Sequence, residues 1–247
     1  MPKIIKENFR VLWEGSLPLT KIHWDTPILS EYTHSDRYNE EIQENWEEHK
    51  AKYPSDYDGI SLYLYDYSFA NSELILKVGT VHFSTIIYLY KHRIPVNQGY
   101  GLIGTQSLIF SPDKSHILVG KRALNQEYFP GALTLPGGIA EVGDFMYPAS
   151  ESLMREVHEE VPLEFEPDGG LFSILVGWNP VSVTFLLFNT VKETSKFDLS
   201  DVISNDAKEW EGKLKWISMN VLKKMDYTNV INGLYYYKWK IDGRGFI

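Results

Sequence analysis

The chain has 247 residues and a formal net charge of −9, from 33 acidic against 24 basic side chains, enough for one large domain or a domain with a sizeable extension. It contains no cysteine, which excludes disulfides, thiolate metal sites and cysteine nucleophiles. The acidic balance argues against a nucleic-acid backbone as partner, and no apolar run reaches the ~20 residues of a membrane span. The first residues lack the apolar core of a secretory leader, so a cytoplasmic protein with neither membrane nor nucleic acid as partner is the expectation.

Residues 1–33 mix Pro, Trp and apolar residues without a period, and no element is assigned there. From Arg37 to Tyr53 the apolar residues Tyr38, Ile42 and Trp46 recur every four positions among acids and lysines, which predicts a helix with one buried face. Asp36 is its candidate N-cap and Pro54 its stop. Asp58-Gly59 signals a turn. Ile60–Tyr65 and Glu73–Val78 read as strands separated by Asn71-Ser72. Thr80–Tyr90 is apolar and leans to helix, and residues 94–99 form a connector.

Beyond it, Leu102–Phe110 and His116–Arg122 read as paired strands around the turn Ser111-Pro112-Asp113. A short apolar segment, Leu133-Thr134-Leu135, leads into a Gly137-Gly138 turn, a loop, and a helix carrying Arg155-Glu156-Val157-His158-Glu159-Glu160. At about 100° per residue, Glu156, Glu159 and Glu160 share one face of that helix. Leu153, Val157 and Val161 form the adjacent apolar stripe that would pack on a sheet. Like charges so crowded repel, and oxygen-only donors on a helix suit Mg²⁺ or Mn²⁺. His158 points about 200° from Glu156 and reads as structural. Strands at Leu171–Trp178 and Val181–Val191, a short strand at Leu214–Ile217, a helical segment at Asn220–Lys224 and a last helix at Val230–Ile241 complete the chain. There is no H-E-x-x-H zinc spacing, P-loop or G-x-S-x-G motif.

The stretch Leu135–Leu163, with LPGG followed by REVHEEV, resembles the Nudix box, G-x5-E-x7-R-E-U-x-E-E-x-G-U with U aliphatic. It departs from that pattern in three places: Asp144 stands for the first Glu, ten residues rather than seven separate it from Arg155, and Pro162 replaces the last Gly. The resemblance covers about Tyr100–Lys240 and implies an α/β fold, a Nudix-type α/β/α sandwich around a mixed sheet, over residues 99–247. Residues 1–98 would be an α+β extension packing on it or on a second subunit of a homodimer. Trp46, Pro54, Asp58-Gly59, the tyrosine-rich strand and Glu73-Leu74-Ile75-Leu76 look like the extension of UDP-sugar pyrophosphatases of that superfamily.

The resemblance also implies roles. Glu156, Glu159 and Glu160 would hold Mg²⁺ or Mn²⁺ with the carbonyl of Gly138 or Gly137, and Arg155 and Asp144 would hold the glutamates in place. Glu159 and Glu160 would serve catalysis, with Glu209, ahead of Glu211 in the same loop, as base or extra ligand. Arg122, at a strand end, is a candidate phosphate clamp, and Phe129 a candidate contact for a base, with Tyr128, Trp178 and Trp210 as others. The implied activity is metal-dependent cleavage of the diphosphate of a small nucleoside diphosphate derivative, a nucleotide sugar of UDP-sugar or ADP-ribose type. The alternative is a catalytically impaired Nudix-fold module that binds a nucleotide or a partner.

Overall fold

The structure is a computed structural model, and it describes residues 3–5, 9–26, 28–54, 56–124, 130–166, 169–177, 181–194, 197–204, 210, 213–227 and 230–243. The first segment, which shows no period in sequence, supplies strands β1 (Lys3–Ile5), β2 (Phe9–Pro18) and β3 (Ile22–Trp24). The reason the period is hidden lies in the pairing of β2: its register shifts between Val11 and Trp13 and again between Glu14 and Leu17. Each extra residue sends the following side chains to the other face, so alternation never runs long enough to be read.

The predicted helix appears as α1 (Asn39–Lys52), preceded by a 3-10 turn at Asp36–Tyr38. Asp36 is therefore not its N-cap. That position is Tyr38, which supplies no side-chain cap. Strand β4 (Ile60–Ala70) runs well beyond Tyr65, through a bulge at Leu64–Asp66, and turns at Asn71-Ser72 into β5 (Glu73–His82). Both turn residues have positive φ, 52° and 63°, the backbone of a two-residue hairpin whose twist matches its strands. The apolar run Thr80–Tyr90 divides at His82 into the end of β5 and the helix α2 (Phe83–Lys91). Its start is capped from a distance, since Asp58 accepts hydrogen bonds from the Ser84 amide at 2.7 Å and hydroxyl at 2.9 Å. This satisfies a donor that the helix leaves orphaned.

Strands β6 (Gly101–Phe110), β7 (His116–Lys121) and β8 (Leu133–Thr134) follow, then the helix α3 (Ala149–Glu160). Strands β9 (Gly170–Gly177), β10 (Ser182–Thr190) and β11 (Lys215–Ser218) and helices α4 (Met219–Lys224) and α5 (Asn232–Ile241) complete the chain. The eleven strands among the described residues join one mixed sheet of order β1-β2-β9-β10-β6-β4-β5-β3, with β7 paired to β6, β8 and β11. β10 runs parallel to β6, and β3 parallel to β5. Strands from before residue 99 thus flank those after it on both sides: β2 pairs with β9, and β4 with β6 at Tyr63–Leu102 and Leu64–Gly101.

Helices cover both faces. On one side, Leu153 and Val157 of α3 pack with Ile103, Phe185, Leu187 and Leu171; on the other, Leu234, Tyr236 and Trp239 of α5 pack with Leu108, Leu175 and Leu186. Successive residues Phe185, Leu186 and Leu187 alternate between these two clusters, as strand geometry requires. Each such side chain removed from water contributes about 1.5–3 kcal/mol before its entropy is counted. A third cluster joins Tyr32, Tyr63, Ile86, Tyr88 and Leu89 to Ile42 of α1 and to Leu102 and Val181. No helix among the described residues is long and apolar enough to cross a membrane.

Candidate active site

The Gly-Gly segment is wedged between two strands. Residues 136–140 run beside β6, with Ser107 N–H donating to Pro136 O, Thr105 N–H to Gly138 O and Ala140 N–H to Ile103 O. On its other side, Leu62 N–H of β4 donates to Ala140 O at 2.8 Å, and Ser61 bridges Glu141. Glycine is required at position 137, and a side chain at position 138 would have to displace Glu156. Gly137 has φ 143°, and a Cβ there would lie 2.1 Å from Thr105 O. A Cβ on Gly138 would lie 2.5 Å from the Glu156 carboxylate. Side chains have thus been removed where backbone meets backbone and where backbone meets a charged group.

Arg155 is the centre of the polar face of α3. Its Nε donates to Asp144 Oδ1 at 2.7 Å and its Nη2 to Asp144 Oδ2 at 3.2 Å. Nη2 also lies 2.7 Å from Glu156 Oε1, Nη1 lies 3.1 Å from Glu159 Oε2, and Nη2 reaches Ile139 O at 3.2 Å. One guanidinium thus binds three carboxylates and the backbone of the Gly-Gly segment. Its planar fork makes that geometry available, whereas a lysine ammonium would not. Asp144 is buried, and its Oδ2 also accepts from Glu141 N–H at 2.8 Å, closing the 3-10 turn Val142–Met146. The buried Ser152 hydroxyl donates to Asp144 O at 2.6 Å and ties this turn to α3.

The three glutamates have different surroundings. Glu160 is only 3% exposed, and its Oε2 accepts from Gly137 N–H at 2.7 Å, so this carboxylate braces the turn. Glu156 lies under Gly138, where burial raises its carboxyl above the usual range against the opposing pull of Arg155. Glu159, with its side chain 58% exposed, faces solvent. No group of three or more Asp, Glu or His side chains converges on a metal position among the described residues. The contacts supply the reason: Glu156 and Glu159 are drawn to Arg155 and Glu160 to a backbone amide. The donor set is nonetheless suited to a hard cation, because one positive charge faces three negative ones and every donor atom is oxygen.

Gly138 O already accepts from Thr105 N–H, which points this carbonyl at β6. Arg122 lies just past the end of β7, its amide donating to Ala132 O and its backbone bridging Trp210. Trp210 is buried, with its ring against Gly120, where a Cβ would lie 2.1 Å away. It fills core space, so the expectation that it stacks on a ligand is corrected. Glu209, Glu211, Tyr128, Phe129 and Trp178 lie outside the described residues. His158 stands on the far side of α3, stacked on Phe165 at 5.8 Å. It lines a separate cavity of about 500 Å³ with Met154, Leu163 and Lys192.

Sequence reasoning passed over Tyr57. This residue precedes the Asp58-Gly59 turn, carries no periodic signal and is 67% exposed, yet its hydroxyl donates to Glu141 Oε1 at 3.1 Å. The bond to Glu141 is the first cause of a raised phenol pKa, and Arg155 and Glu156 are near enough to act on it in opposite directions.

Neither a family model nor a curated protein sequence matches the chain. Among solved structures, a bifunctional NMN adenylyltransferase/ADP-ribose pyrophosphatase from Francisella tularensis is 15% identical over 58% of this chain, with a TM-score of 0.42. This chain covers 41% of that protein's length. A MutT protein from Methanosarcina mazei Go1 is 18% identical over 57% of this chain and 93% of its own, with a TM-score of 0.40. A MutT Nudix hydrolase from Burkholderia pseudomallei is 16% identical over 57% of this chain and 96% of its own, with a TM-score of 0.41. Likenesses this distant add no weight to the chemistry of the site, which stands on its own contacts.

Proposed function

We propose that this chain is a Nudix-type, divalent-metal-dependent hydrolase that cleaves the diphosphate of a nucleoside diphosphate derivative, a nucleotide sugar, into a nucleoside monophosphate and a sugar phosphate. The observation that carries this reading is the surplus of carboxylate around Arg155. Asp144, Glu156 and Glu159 meet one guanidinium beside a glycine turn that Glu160 braces, and a closed structural network would have balanced that charge. Glu156 and Glu159 would hold Mg²⁺ or Mn²⁺, with Glu160 joining them if it leaves the Gly137 amide, and the second lone pair of Gly138 O, or Gly137 O, would supply the backbone ligand. When bound, such an ion polarises a phosphoryl oxygen and lowers the pKa of a coordinated water.

The chain's own residues do the rest. Arg155, anchored by buried Asp144, fixes the direction of Glu156 and Glu159, as partners behind a ligand set do elsewhere. The Gly137-Gly138 backbone lets the substrate's phosphates approach without a side chain in the way. Arg122 serves as a phosphate contact on the neighbouring strand end. Residues 1–98 serve as an extension that shapes the cleft of the domain 99–247.

A second reading, a Nudix-fold module that binds a nucleotide or a partner without cleaving it, draws support from the carboxylate of Glu160, which is buried and committed to Gly137 N–H. One experiment separates the two. The protein is incubated with a panel of nucleoside diphosphate sugars and ADP-ribose, with Mg²⁺, with Mn²⁺ or with EDTA, and released nucleoside monophosphate is measured. Hydrolysis that EDTA abolishes and Mg²⁺ or Mn²⁺ restores supports the enzyme. Binding without release under every condition supports the module, and full activity in EDTA overturns the metal-dependent reading.

A further inference from the structure

Tyr57 comes from the part of the chain before β4, yet its hydroxyl ends on the loop that carries the Gly-Gly turn and Asp144. Its ring occupies room that Gly59 leaves open, since a Cβ on Gly59 would lie 2.6 Å from the Tyr57 ring. The phenol is also close enough to Arg155 and Glu156 for both charges to act on it, so an exposed aromatic ring stands at the edge of the carboxylate cluster.

A bare aromatic ring held at a polar rim by its own hydroxyl is already fixed in place, so little side-chain entropy is lost when a flat group settles on it. An exposed aromatic ring beside a charged centre suits a ligand that is itself divided into an anionic part and a planar, weakly polar part. We propose that Tyr57 forms the platform for the planar ring of the substrate, the nucleobase, beyond the diphosphate handled by the glutamates. The inference rests on the hydrolase reading above and deepens it by naming where the base is recognised. Tyr57 touches substrate through its ring face, while its hydroxyl keeps the ring turned towards the site through Glu141.

The test is isothermal titration of the full chain with adenosine 5′-monophosphate, uridine 5′-monophosphate and ribose 5-phosphate in the presence of Mn²⁺, for wild type, Tyr57→Phe and Tyr57→Ala. Tyr57 is exposed, so neither variant disturbs the core. The expected result is that Tyr57→Ala weakens at least one nucleoside monophosphate about tenfold, a usual cost for losing a base-stacking ring. Ribose 5-phosphate, which has no base, should bind all three proteins alike, and Tyr57→Phe should stay within about threefold of wild type because the ring remains. A purely structural role for Tyr57 would change ribose 5-phosphate binding as well. Unchanged nucleotide binding by Tyr57→Ala, or an equal loss of ribose 5-phosphate binding in that variant, overturns the subsite while metal-dependent hydrolysis stands. If wild type neither binds these nucleotides nor hydrolyses any diphosphate, the subsite and the hydrolase reading fall together.

Discussion

Two polar networks in this molecule are built around a cation, and they differ in a telling way. Lys238 of α5 is 1% exposed; its ammonium donates to Lys223 O at 2.8 Å and to Asp242 Oδ2 at 3.0 Å, and it lies 4.5 Å from the Tyr227 ring. One positive charge meets one negative charge, a carbonyl and a ring face. Arg155 instead meets three carboxylates, with the backbone amide of the Gly-Gly turn held by a fourth, and one of the four stands well out in solvent. A balanced, closed network fixes a helix end. An unbalanced, half-open one pays a standing electrostatic cost, and such a cost is expected where a ligand is to supply the missing charge. Four changes would break or sharpen this contrast.

The largest effect is expected from Arg155→Ala. It leaves buried Asp144 without its cation and sets Glu156 and Glu159 against each other. With Glu159 exposed, part of the loss is recovered by solvent, so a cost of about 3 kcal/mol is expected. Thermal unfolding should shift down by about 6–12 °C for a chain of this size, and hydrolysis should be lost. A shift under about 2 °C would show that Arg155 does not organise the site.

Glu160→Gln tests the brace against the ligand. A glutamine oxygen can still accept from Gly137 N–H, so the fold should hold. If this carboxylate also binds the ion, turnover at saturating Mg²⁺ should drop by ~100-fold or more, about 2.7 kcal/mol of lost transition-state stabilisation. Near-normal turnover would restrict Glu160 to the backbone bond. Lys238→Met should cost about 2 kcal/mol, a fall of roughly 4–8 °C in the unfolding midpoint, with turnover and Mg²⁺ dependence unchanged. A loss of turnover in the folded Lys238 variant would erase the distinction between the two networks.

The smallest effect concerns Glu156. Its folded pKa is raised by burial, so the native state holds this proton more tightly than the unfolded chain does. Stability from this group is therefore greatest below the ordinary glutamate value of 4.5 and declines as pH rises through the raised folded value. Glu156→Gln, without added divalent ions, should be slightly more stable than wild type near pH 7, by less than ~1 kcal/mol, read from thermal unfolding. That advantage should vanish below about pH 4. Added Mg²⁺ should favour wild type instead. A variant that gains nothing near pH 7 would mean that Arg155 fully offsets the burial.

Helix α3 was legible in the sequence because its apolar stripe and its acids obey one period: Leu153, Val157 and Val161 are all buried where α3 meets the sheet. The strands β6, β9 and β10 were legible as apolar runs because both their faces are covered. β2 was not, since its two register shifts break the alternation that a strand is recognised by. Within the site, positions on one helix could be placed relative to one another from geometry alone. The bond from Glu160 to Gly137 N–H and the arrival of Tyr57 at Glu141 depend on how separate segments meet, and 23 and 84 residues separate those partners in sequence. No local pattern encodes them.

The pairing of β2 with β9 also bears on how the chain reaches this state. The Ser173 hydroxyl bonds to Trp13 O across 160 positions, and Phe9 stands opposite Gly177. On a ribosome, β2 emerges long before its neighbour exists, and at ~5–20 residues per second it waits roughly 10–30 s for β9. Over that interval β2 exposes the edge that β9 will cover. Distant pairing of this kind slows folding and leaves the nascent chain open to aggregation. The β2 side of the sheet is thus completed late, after the segments that carry the carboxylates have already been made.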